Sequence, residues 1–107
     1  GQPRALGLAL TGEPLTAERA EAWGLIWKAV EDGELVSVTD ALAAKFASAP
    51  TMGLAATKKL IRESGARTLD QQLDIERDVQ RALGKTHDYK EGVAAFLEKR
   101  PPAFTGS

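Results

Sequence analysis

Two basic residues and one aromatic residue near the end of the sequence could together bind an anion. Phe96, Lys99 and Arg100 directly precede Pro101 and Pro102, which cannot continue a helix. An ammonium group can meet a phosphate while an aromatic ring three residues earlier lies against a planar base. Cations at the end of a helix also compensate the helix dipole. The residue types therefore allow either an anion site or a solvated, capped last turn.

The remaining residue types give little support for catalysis or metal binding. His87 is the only histidine, and its neighbours Thr86 and Asp88 are typical of turns and caps, so a surface position is predicted. The chain has no cysteine and no second histidine, which excludes the usual zinc ligand sets, and no metal site is predicted. No glycine-rich phosphate loop is present. The residues alone do not indicate an enzyme, and no catalytic residue is assigned.

Composition and charge limit the classes of partner. The 107 residues contain 14 Lys and Arg against 15 Asp and Glu, so there is no general positive field for a nucleic acid, and nucleic acid is not predicted as a partner. No apolar run approaches the roughly 20 residues that span a bilayer, so no membrane partner is predicted. The absence of cysteine fits a reducing, cytoplasmic location. A local cluster of cations, Lys58, Lys59 and Arg62, is predicted to be a solvated helix face.

The spacing of apolar residues predicts an all-α chain of short antiparallel helices that forms one domain over residues 1–107. The chain begins as though beside a helix of something larger, so we expect a possible fragment. Residues 25–30 are predicted to be extended. Helix starts are predicted at Thr16 and Thr51, and capping boxes pair Thr68 with Gln71 and Asp88 with Glu91. Helices are predicted over residues 3–10, 17–23, 35–49, 51–63 and 69–84, and over a final helix that Pro101 ends.

Polar residues within the apolar face of the long helix need an explanation. Gln72, Glu76 and Gln80 follow each other at steps of four and project among apolar side chains. A charge in an apolar face is costly unless it is paired or hydrated. Either Glu76 pairs with Arg77, Arg81 or water, or this face meets a second subunit or a polar ligand. The apolar residues of the face are Leu69, Leu73, Val79 and Leu83.

Taken together, four segments resemble a known enzyme family. They are LTGEPLTAERAEAWGLIWKAVED, APTMGLAATKKLI, LDIERDVQRALGKTHDYKEG and VAAFLEKRPPAFTG. In this order they resemble the C-terminal part of the crotonase superfamily, the enoyl-CoA hydratases and isomerases, over essentially the whole chain. WGLIWKAV, ERDVQRALGKTHDYKEG and FTG look most like the ring-epoxide isomerases of phenylacetyl-CoA degradation within that superfamily.

The resemblance implies specific roles. In the family an N-terminal α/β spiral core carries the oxyanion hole and the acidic catalytic residues, so these helices without that core are expected to be inactive alone. The helical C-terminal part covers the acyl pocket and builds a trimer, often a dimer of trimers. Its last helix supplies a Phe and a Lys that contact the CoA nucleotide of the neighbouring subunit, and these match Phe96 and Lys99. The CoA thioester is the substrate, and no further cofactor is implied.

The long helix also receives an expected role from the resemblance. Its polar face should line the acyl tunnel or the trimer contact. Gln80 stands where hydratases carry an aromatic residue, which favours an isomerase. The alternative for the whole chain is a free-standing helical protein-interaction module with neither ligand nor chemistry.

Overall fold

The chain folds into α-helices and one short 3-10 helix, without any β-strand, as the sequence predicts. A computed structural model describes all of residues 1–107. Every helix falls short of the length and apolar character that a membrane span requires. The helices are α1 (Gln2–Thr11), α2 (Ala17–Ala22), α3 (Leu35–Ala47), α4 (Thr51–Ser64), α5 (Leu69–Leu83) and α6 (His87–Glu98), with the 3-10 helix at Asp32–Glu34.

The chain divides into two units, and the first is Gly1–Val38. Thr16 caps α2 as predicted, because its hydroxyl accepts a hydrogen bond from the Arg19 backbone N–H at 3.3 Å. The guanidinium groups of Arg4 and Arg19 lie 5.0 and 4.5 Å from the centre of the Trp23 ring, within cation–π range. Ala20 is the buried residue of this unit.

The second unit is Thr39–Ser107, and its helices α4 and α5 pack against each other. The predicted capping box at α5 is present. The Thr68 hydroxyl accepts from the Gln71 backbone N–H, and the Gln71 side chain accepts from the Thr68 backbone N–H. Only Asp88 and Ala95 of this unit are buried. Much of the apolar surface of these helices therefore remains exposed.

Three local predictions were wrong. Residues 25–30 are not one extended segment: residues 25–27 bend, because the Leu25 and Ile26 N–H groups donate back to the Ala20 carbonyl, and residues 28–30 have no regular secondary structure. Thr51 is the first helical residue of α4, and Pro50 takes the N-cap position without a side-chain hydrogen bond. The cap of α6 is Thr86, whose hydroxyl accepts from the Tyr89 N–H, so Asp88 is not the cap.

Candidate functional site

The end of α6 is a hydrogen-bonded turn that carries Lys99. The Arg100 N–H donates to the Ala95 carbonyl at 3.0 Å, and the Lys99 N–H donates to the Phe96 carbonyl at 3.3 Å, which is the Schellman pattern. Lys99 has φ 54° and ψ 38°, the left-handed conformation that glycine usually occupies at this position. It is the only non-glycine residue of the chain with positive φ. The protein therefore accepts backbone strain at the lysine that the sequence singles out.

Phe96 and Lys99 lie three residues apart at this end of α6. Phe96 lies in the last turn of the helix with 82% of its surface exposed, and Lys99 directly follows the helix and is also exposed. The Lys99 ammonium group makes no ion pair within the chain, and the Phe96 ring is among the most exposed apolar side chains of the protein. Both side chains are free to meet a ligand.

Arg100 has a different environment and is not a second free cation. Its guanidinium forms a two-pronged ion pair with Glu91, with Nη1–Oε1 and Nη2–Oε2 distances of 2.6 and 2.9 Å. Its Nε–H donates to Glu98 Oε2 at 2.6 Å, and Nη1–H also donates to the Pro101 carbonyl. The idea of a shared cationic end at Lys99 and Arg100 therefore reduces to Lys99 alone.

Glu91 is the acceptor that organises this turn. Its side chain is only 14% exposed, and its Oε1 atom accepts from the Ala103 backbone N–H at 2.8 Å as well as from Arg100. Hydrogen bonds from Arg100 and then from the Ala103 N–H lower the pKa of Glu91 to about 2, and the same pairing raises the pKa of Arg100. The pair is therefore charged throughout the neutral range.

Asp88 holds the end of the chain against the start of α6. It is 4% exposed, and its carboxylate accepts from the backbone N–H groups of Thr105 and Gly106 at 2.7 and 2.8 Å. The Thr105 hydroxyl adds a third bond at 3.3 Å, and the Asp88 N–H donates to the Ser107 carbonyl. These bonds, led by that from the Thr105 N–H, lower the pKa of Asp88. Residues 101–107, the C-terminal tail, thus run back along α6.

Of the two glycines beside the tail, only Gly106 is needed for the tail to lie this close. Gly106 has φ 79°, and a β-carbon there would stand 2.6 Å from the Thr51 hydroxyl oxygen. A β-carbon on Gly92 would lie 3.5 Å from the Phe104 ring, in ordinary contact. Gly106 is therefore the position where a side chain would disturb the tail.

An apolar groove of about 430 Å³ runs beside α6, and the tail contributes Phe104 to its wall. Tyr89, Val93, Phe96 and Leu97 of α6 line it, and each of these four side chains is at least 45% exposed. Gln80 of α5 also reaches it. An exposed apolar surface of this kind is typical of a binding site or a contact between proteins.

The polar face of α5 forms a network with α4 rather than the predicted pairing. The Gln72 amide donates to Glu76 Oε1 at 2.8 Å, and Arg67 donates to Gln72 Oε1 while also pairing with Glu63. Arg77 pairs instead with Asp74, three residues earlier on the same helix face, and with the adjacent Asp78. The predicted Glu76–Arg77 or Glu76–Arg81 pair is wrong.

The other candidate residues lie on the surface, as predicted. Lys58, Lys59 and Arg62 are exposed on α4. His87 has a 59% exposed side chain, but it is the first residue of α6 rather than part of a turn. Its Nδ1 lies 3.3 Å from the Thr105 hydroxyl of the tail. None of these residues forms a hydrogen bond or an ion pair with Lys99.

The sequence interpretation missed the hydrogen bonds of Asp88 and Glu91 with the tail. Both residues were assigned to a capping box, although Thr86, two residues before Asp88, is the cap. The available signal was the pair Pro101–Pro102 after an arginine: a forced turn there can return the chain toward carboxylates on the same helix face.

Comparison with known proteins identifies the family. Residues 1–107 match the family profile described as enoyl-CoA hydratase/isomerase. The chain belongs to the enoyl-CoA hydratase/isomerase family. Among curated relatives of this family, the chain is 51% identical over 106 residues to 1,2-epoxyphenylacetyl-CoA isomerase of Escherichia coli K12 and 45% identical to a probable enoyl-CoA hydratase of Rhodobacter capsulatus. Each alignment covers 99% of this chain, but only 40% of the first relative and 41% of the second.

Solved structures of the enoyl-CoA hydratase/isomerase family have the same fold. A putative enoyl-CoA hydratase/isomerase of Mycobacterium abscessus superposes with a TM-score of 0.94 at 32% identity, over 98% of this chain and 40% of that one. The chain thus spans about 40% of the length of the relatives it matches. The strand-free helices and this coverage agree with the predicted helical segment of a crotonase fold without its α/β spiral core.

Proposed function

We propose that the chain acts as the C-terminal helical segment of a cytoplasmic acyl-CoA isomerase or hydratase. In this proposal Phe96 and Lys99 contact the CoA nucleotide bound by a neighbouring subunit, and the CoA thioester is the substrate of the whole protein. Family membership supports the reaction class. Because the family's oxyanion hole and acidic residues are expected in its α/β part, these 107 residues alone should not turn over an acyl-CoA.

The observation that carries the proposal is the contrast between two adjacent cations. Arg100 has its charge compensated by Glu91 and Glu98, whereas Lys99 has no partner and extends from a strained turn. The 82% exposed Phe96 ring lies one turn earlier. A free ammonium group three residues after an exposed aromatic ring suits a phosphate next to an adenine.

The finer choice within the family is an isomerase of a ring-bearing acyl-CoA. Its support is the 51% identical relative, which is named 1,2-epoxyphenylacetyl-CoA isomerase. Gln80, which the resemblance sets where hydratases carry an aromatic residue, lies at the apolar groove. Purified full-length protein given 1,2-epoxyphenylacetyl-CoA and crotonyl-CoA separates the two reactions directly, because a hydratase would add water to the second.

Self-association through the apolar groove, as a trimer or a dimer of trimers, is the second part of the proposal. The groove exposes Val93 and Leu97, and Leu97 is 73% exposed. Covering such surface with a second copy removes it from water. We expect Leu97→Glu to shift the mass from light scattering toward the monomer, while Ile61→Glu, at a 69% exposed apolar residue of α4 outside this groove, leaves it unchanged.

The coenzyme contact is tested by Lys99→Gln in the full-length protein. A charge-assisted hydrogen bond is worth about 1.5–3 kcal/mol, so the Kd for coenzyme A should rise by about ten-fold or more. The Kd for pantetheine, which lacks the nucleotide and its phosphates, should not change. Higher salt should weaken coenzyme A binding in the parent protein and have less effect in the variant.

Lys90→Gln is the matched control, since Lys90 is an exposed lysine of the same helix and its loss changes the net charge equally. Equal coenzyme A affinity in the parent protein and Lys99→Gln would contradict the proposed site. The last turn of α6 would then be only a capped, solvated helix end.

A further inference from the structure

Glu91 closes a ring around the turn that carries Lys99. Its two carboxylate oxygens bind the Arg100 guanidinium, and Oε1 also accepts the Ala103 N–H at 2.8 Å. Glu91 lies in the middle of α6, so these bonds tie the helix to residues on both sides of Pro101 and Pro102. Lys99 lies within the closed segment, one residue before Arg100.

The backbone at Lys99 needs such a tie. A lysine in the left-handed conformation costs free energy relative to the helical or extended regions, and such residues persist only where the surroundings fix them. The Schellman hydrogen bonds use backbone groups alone and form at the ends of many helices. The Glu91 contacts are the side-chain interactions that hold the backbone immediately after Lys99.

We propose that Glu91 is a positioning residue, which acts through Arg100 and Ala103 to fix the direction in which Lys99 meets the coenzyme phosphate. This inference rests on the proposed function and adds to it a residue that does not touch the ligand. Glu91 also compensates Arg100, so that Lys99 alone presents an uncompensated positive charge at this turn.

Loss of the Glu91 charge has two opposing effects on coenzyme A affinity, and their balance decides whether the affinity rises or falls. Arg100 would gain attraction for a phosphate, but its Nε–H remains 2.6 Å from Glu98 and its Nη1–H remains bonded to the Pro101 carbonyl. Glu98 therefore still compensates part of its charge. Glutamine can still accept the Ala103 N–H through its one oxygen, but its NH2 group would face the Arg100 Nη2–H in place of Oε2, so the tie of this side chain to the turn is weakened. Misplacement therefore outweighs the added charge, and coenzyme affinity should fall.

The experiment measures coenzyme A and pantetheine binding by calorimetry in the full-length protein and in Glu91→Gln. We expect the Kd for coenzyme A to rise about three- to ten-fold and the Kd for pantetheine to stay the same. A purely structural role would change both, since both ligands need the folded pocket. Asp74→Asn is the matched control, because it removes a carboxylate that pairs with an arginine on the exposed face of α5.

Arg100→Gln provides a second variant if Glu91→Gln unfolds, since it keeps the Glu91–Ala103 bond and cuts only the arginine. It should raise the Kd for coenzyme A above that of the parent protein and leave the Kd for pantetheine unchanged. Unchanged coenzyme A affinity in both variants, with Lys99→Gln still weakened, would overturn the positioning role and leave the proposed function intact. If Lys99→Gln itself binds coenzyme A normally, the proposed site fails, and the role of Glu91 fails with it.

Discussion

The ends of α2 and α6 use the same hydrogen-bonding motif but differ at one residue. At α2 the Leu25 N–H donates to the Ala20 carbonyl at 2.9 Å, and the Gly24 N–H donates to the Glu21 carbonyl at 2.8 Å. At α6 the corresponding donors are Arg100 and Lys99. Gly24 has φ 73° and Lys99 has φ 54°, so both occupy the left-handed region. At the end of α2 the left-handed position holds glycine, which adopts this conformation without steric cost, whereas at the end of α6 it holds a lysine.

The segment that follows each turn is held by a glutamate of the preceding helix, but the segment after α6 has more hydrogen bonds. A glutamate of the helix accepts a backbone N–H of the returning chain in both: Glu21 from Ala29 at 3.0 Å and Glu91 from Ala103 at 2.8 Å. Glu91 binds Arg100 as well, and Asp88 adds a second, buried anchor. After α2 the chain instead exposes Leu25 and Trp27, with 67% and 79% of their surfaces in solvent.

The difference indicates which irregular segment is built to be fixed. Buried carboxylates with several donors bind strongly because the surrounding protein excludes water. The tail of residues 101–107 has two acceptors, the buried Asp88 and the 14% exposed Glu91, whereas residues 25–30 have one exposed acceptor, Glu21. A turn with a strained lysine and a fixed tail suits a binding site, whereas a turn with glycine suits a simple change of direction.

The largest expected effect comes from Asp88→Asn, which removes the stronger anchor of the tail. The amide offers one acceptor oxygen and faces the Thr105 and Gly106 donors with an NH2 group of its own. Amide hydrogen exchange at Thr105 and Gly106 should accelerate at least roughly ten-fold, because the tail opens locally. Asp74→Asn is the control. Unchanged exchange at both amides would mean that Asp88 does not hold the tail.

Acid should release the tail by protonating Glu91, and the sign follows from its low pKa. A carboxylate whose pKa falls from 4.5 to about 2 on folding stabilises the fold above pH 4.5, and this contribution is lost as the pH falls toward 2. The carboxyl carbon of Glu91 should titrate near pH 2 by NMR, and the Ala103 amide should shift with it. In Glu91→Gln the Ala103 shift over this range should vanish. A midpoint near 4.5 would refute the pairing with Arg100.

Substitutions at the left-handed positions of the two helix ends, Gly24 and Lys99, should change the free energy of unfolding in opposite directions. Gly24→Ala introduces left-handed strain in open space and should lower the free energy of unfolding by about 1 kcal/mol. Lys99→Gly relieves strain and should raise it by about 0.5–1 kcal/mol, less the greater freedom of glycine in the unfolded chain. Urea titrations measure both. Changes of the same sign would show that the two turns are not equivalent.

The smallest effect is expected for Glu21→Gln, at the weaker anchor. Glu21 is exposed, and glutamine can still accept the Ala29 N–H, so the free energy of unfolding should change by less than about 0.5 kcal/mol. Exchange at the Ala29 amide should accelerate much less than exchange at Thr105 in Asp88→Asn. A larger effect at Ala29 would reverse the ranking of the two segments.

Local sequence patterns determined the helices and several of their ends. The apolar spacing predicted the all-α fold, and Thr16 and the Thr68–Gln71 pair marked helix starts that the structure confirms. Such signals work because a cap involves side-chain and backbone groups only three residues apart. The sequence also singled out Phe96 and Lys99, which lie exposed at the end of α6.

Only the tertiary structure decided what surrounds Lys99. Local sequence does not distinguish Arg100 from Lys99, yet Arg100 pairs with Glu91 nine residues earlier, and Asp88 binds Gly106 at a separation of 18 residues. These bonds exist because the chain turns back after Pro101, and a pattern within a few residues does not contain that path. The stabilisation of the Asp88 and Glu91 carboxylates depends on backbone N–H donors of the tail, which lie far away in sequence. The identity of the free cation was therefore settled by folding and not by local composition.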